Sequence, residues 1–215
     1  EMSRGLGDVY KRQALMSAIY NLGSVILQSS INALGSVYIA AQVGGRKLAE
    51  FFYIPGIALG TSAATFSSQN FGAGERARIA KGARSGIFMY FCWWLVALVF
   101  VIFLAPTAVK FIISSSNPEV IENGVLYLRI SIPMIPPMAI LVILRNILQG
   151  MRRPGMPLFC SCLELIGKVI FALWLVPAFG YLAVCICEPV TWVICCVVIA
   201  VAVFAIRGEF TNRHI

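Results

Sequence analysis

The sequence has few charged residues and almost no histidine. Only 12% of its 215 residues are charged, whereas a soluble domain carries about 25%, and 60% are apolar. This composition excludes a water-soluble monomer, because too little polar surface is present to cover the apolar remainder. The single histidine, His214, stands in the last two residues, so neither a histidine-based catalytic triad nor a histidine metal cluster is expected.

Other function classes lack the residues that they need. Gly72-Ala73-Gly74 is not followed by a P-loop lysine, so direct use of ATP is disfavoured. The net charge of +8 comes from short basic clusters between long apolar runs, which are topology signals of a membrane protein rather than a nucleic-acid surface. The seven cysteines all lie in apolar stretches and are interpreted as small buried side chains. We therefore expect no cofactor, no metal site, no nucleic-acid partner and no enzyme.

The chain divides into three parts by composition. Residues 1–13 are polar, and Asp8-Val9-Tyr10-Lys11-Arg12-Gln13 resembles a translated adaptor from sequencing-library preparation. We expect residues 1–13 to be a non-native leader, a genuine cytosolic lead-in being the alternative. Residues 14–206 are the predicted transmembrane lobe, and residues 207–215 a cytoplasmic tail.

Six segments are long and apolar enough to cross a membrane, which takes about 20 residues each. They are residues 16–40, 49–70, 86–105, 124–147, 157–177 and 181–206. The predicted fold class is all-α, a polytopic bundle of six transmembrane helices joined as hairpins by short loops.

The basic residues predict that both ends of the chain are cytoplasmic. With that orientation, nine arginines and lysines fall on the cytoplasmic side, namely Arg76, Arg78, Lys81, Arg84, Arg145, Arg152, Arg153, Arg207 and Arg213. Four fall on the opposite side, namely Arg46, Lys47, Lys110 and Arg129. Such an excess marks the cytoplasmic face.

Two of the six segments contain helix breakers. The second holds Pro55 with Gly56 and Gly60, and the fourth holds Pro133, Pro136 and Pro137. Proline bends or breaks a helix, and the freed carbonyls must then face protein or a water-filled cavity. Broken helices in the middle of the membrane indicate a transporter pathway, although a kink that improves packing stays an alternative.

Polar side chains follow one face of the first segment. At about 100° per residue, five residues fall within an arc of about 80°, namely Asn21, Ser24, Gln28, Asn32 and Gly35. Such groups line a cavity or form hydrogen bonds to another helix.

Charged residues lie inside the last two segments. Glu164 and Lys168 are four residues apart, on the same helix face as Ser161, so we expect a salt bridge between them. It could bind or release a cation or proton, or simply fix the helix position. Glu188 precedes Pro189, whose freed carbonyls would suit a cation held by oxygen atoms, while a protonated, hydrogen-bonded carboxyl is the alternative.

Several motifs, in order, resemble the multidrug and toxic compound extrusion (MATE) family. The first segment, with Gln28 to Gly35, is similar to the seventh helix of that family. Gln69-Asn70-Phe71-Gly72-Ala73-Gly74 and the basic run after it resemble the loop that follows its eighth helix. Leu148-Gln149-Gly150, before Arg152-Arg153-Pro154, resembles the end of the tenth. Glu164 with Lys168, and Glu188-Pro189 with Trp192, resemble its last hairpin.

The resemblance implies a twelve-helix exporter of two lobes, of which this chain is the C-terminal one. Its partners would be the absent N-terminal six-helix lobe, the lipid bilayer and a small organic substrate. The family exchanges Na+ or H+ for organic, often cationic, drugs or metabolites across the plasma membrane. Some branches carry an acid in the seventh helix, where this chain has only amides and hydroxyls, and Lys168 stands where arginine is common. The coupling ion therefore stays open.

We predict that the substrate and ion pathway is lined by residues from five of the six segments. They are Asn21, Gln28, Asn32, Tyr53, Pro55, Tyr127, Pro133, Pro136, Glu164, Lys168 and Glu188. A lipid-linked saccharide flippase is the first alternative, although it would be expected to need more cavity arginines. A membrane-embedded transferase and a non-transporting membrane subunit are the others.

Overall fold

The computed structural model describes the backbone of residues 2–113 and 117–206 and the side chains of residues 14–113 and 117–206. The described chain is helical throughout its long segments, and its α-helices are α1 (Met2–Leu34), α2 (Ser36–Gly72), α3 (Arg76–Ile113), α4 (Pro118–Ser131), α5 (Ile135–Gly150), α6 (Gly155–Ile170), α7 (Val176–Phe179) and α8 (Tyr181–Ala205). A 3₁₀ turn, Ile132–Met134, joins α4 to α5, and a π-helical segment, Phe171–Leu175, joins α6 to α7. The predicted tail, 207–215, lies outside the described residues, as do the side chains of the predicted leader.

The architecture is an all-α membrane bundle, as the sequence predicts. Five segments are long and apolar enough to cross a membrane, namely Ala14–Leu34, Arg76–Ile113, Pro118–Gly150, Gly155–Phe179 and Tyr181–Ala205. The sixth long helix, α2, is less apolar, but its 37 residues extend over about 55 Å. It lies centrally, packed on α3, α4 and α5, while α1 packs mainly on α6.

The predicted boundary between the first and second segments is wrong. The chain turns at Gly35, whose φ of 113° favours glycine because other residues rarely adopt it. The predicted turn at Gly44 to Lys47 is inside α2. There, Gly44 and Gly45 allow close packing instead: a Cβ atom on Gly44 would overlap Ile113, and one on Gly45 would lie 3.0 Å from the Tyr127 ring.

The start of the third segment also differs from the prediction. The helix α3 begins at Arg76 rather than near residue 86, so the basic run that was predicted as a loop is helical. Farther along, Asn117 caps α4 by accepting a hydrogen bond from the Glu119 N–H at 3.0 Å.

The predicted break in the fourth segment is confirmed, and the one in the second is wrong. Three prolines within five residues convert one turn into the 3₁₀ segment between α4 and α5. In contrast, α2 continues through Pro55. In the turn that Pro55 disturbs, the Phe52 carbonyl accepts hydrogen bonds from the Tyr90 hydroxyl at 3.2 Å and from Trp93 Nε1 at 3.0 Å. These two donors fix that turn of α2 to α3, although the carbonyl that Pro55 itself leaves without an N–H is that of Phe51, four residues earlier.

At two other prolines, the carbonyl that lacks its helical N–H accepts a hydrogen bond from a side chain of a neighbouring helix. A π-helical N–H reaches the fifth preceding carbonyl, so Pro177 leaves the carbonyl of Ala172 without a backbone donor. Ser30 of α1 donates its hydroxyl to that oxygen at 3.2 Å. Pro136 lacks the N–H that would reach Ile132, whose carbonyl accepts the 3₁₀ hydrogen bond from the Ile135 N–H and a second hydrogen bond from Trp94 Nε1 at 3.0 Å. The freed carbonyls therefore face protein, as a lipid environment requires.

Candidate functional site

A buried ion pair joins α5 to α6. Arg145 Nη1 lies 3.4 Å from Glu164 Oε1, and Glu164 is 6% exposed. The other Arg145 nitrogen, Nη2, donates to Ser161 Oγ at 2.6 Å and to the Pro157 carbonyl at 3.3 Å. One guanidinium therefore engages three oxygens on the first turns of α6, and Nε of the same side chain is buried without a partner among the described residues.

The predicted salt bridge between Glu164 and Lys168 is wrong. Lys168, 2% exposed, donates to Ser24 Oγ of α1 at 3.1 Å, and its ammonium lies 3.9 Å from the centre of the Tyr20 ring. Among the described residues, no carboxylate forms an ion pair with Lys168. The physical reason is that the guanidinium of Arg145 occupies Glu164, while the ammonium extends away toward α1.

A second charged group surrounds Glu188. This carboxylate, 8% exposed, accepts a hydrogen bond from the Tyr127 hydroxyl at 3.3 Å and lies 4.0 Å from Arg46 Nη2. Arg46 also pairs with Glu50 on the next turn of α2 at 3.1 Å. The group therefore connects α8 to α4 and α2, and Glu188 is held by residues that lie far from it in sequence.

Lys168 lies within electrostatic range of both the Arg145–Glu164 ion pair and the charged group around Glu188. Its ammonium interacts electrostatically with Glu164 and with Glu188, each of which has its own arginine. The result is an alternation of cations and carboxylates across the interior of the bundle. A buried charge is tolerated when it is paired and hydrogen-bonded; the two carboxylates have arginine partners, whereas the Lys168 ammonium is held by Ser24 Oγ and the Tyr20 ring.

A polar cleft of about 290 Å³ opens beside the Arg145 ion pair. It lies between α1 and the α5–α6 hairpin and is lined by Met16, Ser17, Tyr20, Asn21, Arg145, Gln149 and Ser161. The cleft is open to the exterior of the chain, and Tyr20 connects it to the buried ammonium of Lys168. A ligand in this cleft would meet amides, hydroxyls, an aromatic ring and a guanidinium.

The polar face of α1 is mostly uncovered. Asn21 and Asn32 are exposed and Gln28 is half-buried, and Gln28 Nε2 donates to Asn32 Oδ1 at 3.0 Å. Only Asn21 of these three lines the cleft. These amides do not join α1 to another helix through the hydrogen bonds that the described residues form, so their role as pathway lining stays a prediction.

The other predicted pathway residues occupy different depths of the bundle. Tyr127 is buried beside Glu188, and Tyr53 contacts Trp192 edge-on with 5.6 Å between ring centres. Pro55 and Pro136 are half-buried, and Pro133 is exposed. The structure thus brings Asn21, Glu164 and Lys168 to the cleft or directly behind it, and places Tyr127 with Glu188 in the second group.

Sequence reasoning overlooked Arg145 and Arg46 as site residues. On sequence grounds, both count only as signals of membrane orientation, whereas both contact buried carboxylates. Arg145 lies inside the fourth apolar segment, 124–147, which is a signal that could have identified it. Without Arg145 and Arg46, the count of basic residues is eight on the predicted cytoplasmic side against three on the opposite side. The excess still predicts that both ends of the chain are cytoplasmic.

Comparisons with known proteins bear on the family and the fold. The family model MatE matches residues 13–174. No curated protein matches the chain.

Several solved structures have the same fold as the described bundle. One, described as a MOP superfamily transporter from Pyrococcus furiosus with a binding pocket of reverse polarity, has a TM-score of 0.68 and 18% identity over 95% of this chain and 45% of its own. A MATE protein in complex with MaD3S has a TM-score of 0.69 and 17% identity over 93% of this chain and 45% of its own. An outward-facing multidrug resistance MATE transporter has a TM-score of 0.63 and 18% identity over 93% of this chain and 44% of its own. The chain spans less than half the length of each.

Proposed function

The chain belongs to the MATE family of transporters, and we propose that it forms the C-terminal lobe of a secondary active efflux transporter. In this proposal an absent N-terminal six-helix lobe completes a central cavity, and the protein resides in the plasma membrane with both ends of this chain cytoplasmic. The transporter exchanges H+ or Na+ for organic, often cationic, drugs or metabolites. The coverage of under half of each solved structure supports a second lobe.

The observation that carries the proposal is the buried charge alternation beside an open polar cleft. A charged side chain in the bilayer interior costs at least about 2.5 kcal/mol, so charged residues there mark an ion or substrate route in most membrane proteins. Glu164 and Lys168 lie on one helix directly behind the cleft. Both carboxylates have partners on other helices, so a change in their charge would alter how those helices pack.

Ring contacts support a cationic substrate. The ammonium of Lys168 already lies 3.9 Å from the Tyr20 ring centre, which is the geometry of a cation–π interaction. Tyr20 also lines the cleft and is 42% exposed, so a substrate cation can reach the same aromatic group. In this mechanism the substrate competes with Lys168 for Tyr20.

The resident hydrogen bonds favour H+ over Na+ as the coupling ion. A hard cation needs several oxygens free of other donors, whereas Glu164 Oε1, Ser161 Oγ and the Pro157 carbonyl all accept from Arg145. Near Glu188, Oε2 accepts from Tyr127 and the backbone carbonyl from Thr191. A proton needs only one lone pair, so it can bind a carboxylate and weaken the ion pair without a new coordination shell.

A reconstitution experiment tests the proposed function and its coupling ion. The full-length protein that contains this chain is placed in liposomes, and transport of ethidium is followed by its fluorescence. We expect transport driven by a pH gradient in sodium-free buffer, and none from a sodium gradient when a protonophore is present. Sodium-driven transport under protonophore would contradict H+ coupling. If neither gradient moves ethidium or any other organic cation tested, the proposed efflux function is wrong.

A further inference from the structure

The first turns of α3 carry an exposed basic face that is separate from the cleft. Arg78, Lys81 and Arg84 are all exposed, and at about 100° per residue they fall within an arc of about 120° on the helix. Residues on the opposite side of α3, including Ile79, Gly86 and Tyr90, are buried in the bundle. We call these three residues the α3 basic face.

The same arc of α3 continues as an apolar stripe toward the other end of the helix. Phe88, Leu95, Val99 and Ile102 are 66%, 47%, 57% and 62% exposed, and their helix angles lie within the arc of the α3 basic face. In a bilayer this stripe is the lipid-facing side of a segment that is long and apolar enough to span it. Basic and apolar residues therefore face the same lipids.

The lengths place the basic side chains at the level of the lipid head groups. The 38 residues of α3 extend over about 57 Å, and the hydrocarbon core is about 30 Å thick. Lys81 precedes the first residue of the stripe, Phe88, by seven residues, or about 10 Å. Long basic side chains at a helix end reach the head-group region in this way.

The end of the bundle around this face is strongly basic. Met151, after α5, packs in one apolar cluster with Ile79 of α3, so the exposed Arg152 belongs to the same end of the bundle. Glu75 is the one acidic residue among the described positions 73–84 and 151–154. The opposite end of α3 carries a single exposed lysine, Lys110, on the same arc.

We propose that the α3 basic face binds the head groups of anionic phospholipids whose acyl chains lie against the apolar stripe of α3. Juxtamembrane clusters of lysine and arginine attract anionic lipid, and here three of them stand above one lipid-facing stripe. Ser85 is exposed between Lys81 and Phe88 and supplies a hydroxyl donor for a phosphate oxygen. The site requires no contact with the transport cleft.

Spin-labelled lipids test the proposal in bilayers that contain the full-length protein. The measured quantity is the association constant of labelled phosphatidylglycerol divided by that of labelled phosphatidylcholine. We expect a ratio of at least about three at low salt. The triple change Arg78→Gln, Lys81→Gln and Arg84→Gln should bring the ratio close to one, and raising the salt to about 1 M should do the same because it screens exposed charges.

Two variants separate head-group binding from a general effect of charge or folding. Arg78→Lys with Arg84→Lys keeps the three charges and should keep the ratio, and Lys110→Gln removes one charge from the other end of the same arc and should leave it unchanged. Circular dichroism confirms that each variant retains its helices. A wild-type ratio of one, an unchanged ratio in the triple variant, or an equal loss in Lys110→Gln would overturn the proposal.

Discussion

Trp94 of α3 donates its indole N–H to the Ile132 carbonyl at 3.0 Å, and that carbonyl is the one that Pro136 leaves without its helical donor. Within the 3₁₀ turn between α4 and α5, the Ile135 N–H also donates to this oxygen, so the indole from α3 supplies its second hydrogen bond. The same arrangement recurs where Ser30 reaches the Ala172 carbonyl. Irregular backbone in this bundle is stabilised by side chains from helices that pack against it.

The change Trp94→Phe should lower the free energy of unfolding by about 1 kcal/mol, because it removes one of the two hydrogen bonds to the Ile132 oxygen and leaves only the one from the Ile135 N–H. The loss should be smaller in a Pro136→Ala background, since the alanine N–H can reach Ile132. Unfolding in mixed detergent micelles, followed by circular dichroism, measures both values. Equal losses in the two backgrounds would show that the indole hydrogen bond does not compensate for the proline.

Glu164→Gln should reduce gradient-driven transport by at least about tenfold, because the amide cannot exchange a proton and no longer neutralises Arg145. Transport in liposomes that contain the full-length variant measures the effect, and equilibrium exchange of substrate shows whether binding persists.

Glu122→Gln is the matched control for that change. Glu122 is an exposed carboxylate near the start of α4, away from the ion pair, so this variant should transport like the wild type. Normal transport by Glu164→Gln would exclude its carboxylate from coupling.

The fold class follows from the sequence because a long apolar segment has few alternatives in a membrane. The break at Pro133 to Pro137 was predictable, since no helix accommodates three prolines in five residues without losing donors. The continuity of α2 through Pro55 was not predictable, because it depends on packing with α3, whose Tyr90 and Trp93 donate to the Phe52 carbonyl and lie 35 or more residues away in sequence.

The ion pairs show a similar limit to what the sequence can predict. Spacing along a helix predicts a bond between Glu164 and Lys168, yet Arg145 is the partner of Glu164 because α5 packs beside α6. Sequence spacing identifies which charges are in the membrane, whereas only the packing decides how they pair. The turn at Gly35 instead of Gly44 has the same origin, since glycine serves both turns and close helix contacts.

Gly150→Ala should destabilise the bundle by about 1–3 kcal/mol, because overpacking at a tight contact displaces backbone or side chains. A Cβ atom there would overlap the Ala64 carbonyl oxygen and lie 3.1 Å from Ser67 Cβ, and a backbone atom cannot move aside as a flexible side chain can. Thermal unfolding of the purified protein measures the change.

Gly72 provides the control for Gly150, because each is the last residue of its helix. No atom lies within 4 Å of a Cβ atom built on Gly72, so Gly72→Ala should leave stability unchanged or raise it by up to about 1 kcal/mol. Similar effects of the two changes would show that helix propensity, rather than contact with α2, determines the result.

Asn32→Ala distinguishes a pathway residue from a structural one. Its amide is exposed and bonds only to Gln28 of the same helix in the hydrogen bonds described, so its removal should change the free energy of unfolding by less than about 0.5 kcal/mol. If the polar face of α1 lines the route, the variant should nevertheless lose most ethidium transport. Asn123, whose amide also forms a local bond, to the Glu119 carbonyl at 2.8 Å, is the control, and Asn123→Ala should transport normally. Should Asn32→Ala transport normally and fold more stably than the wild type, its side chain faces lipid and the polar face of α1 is not part of the pathway.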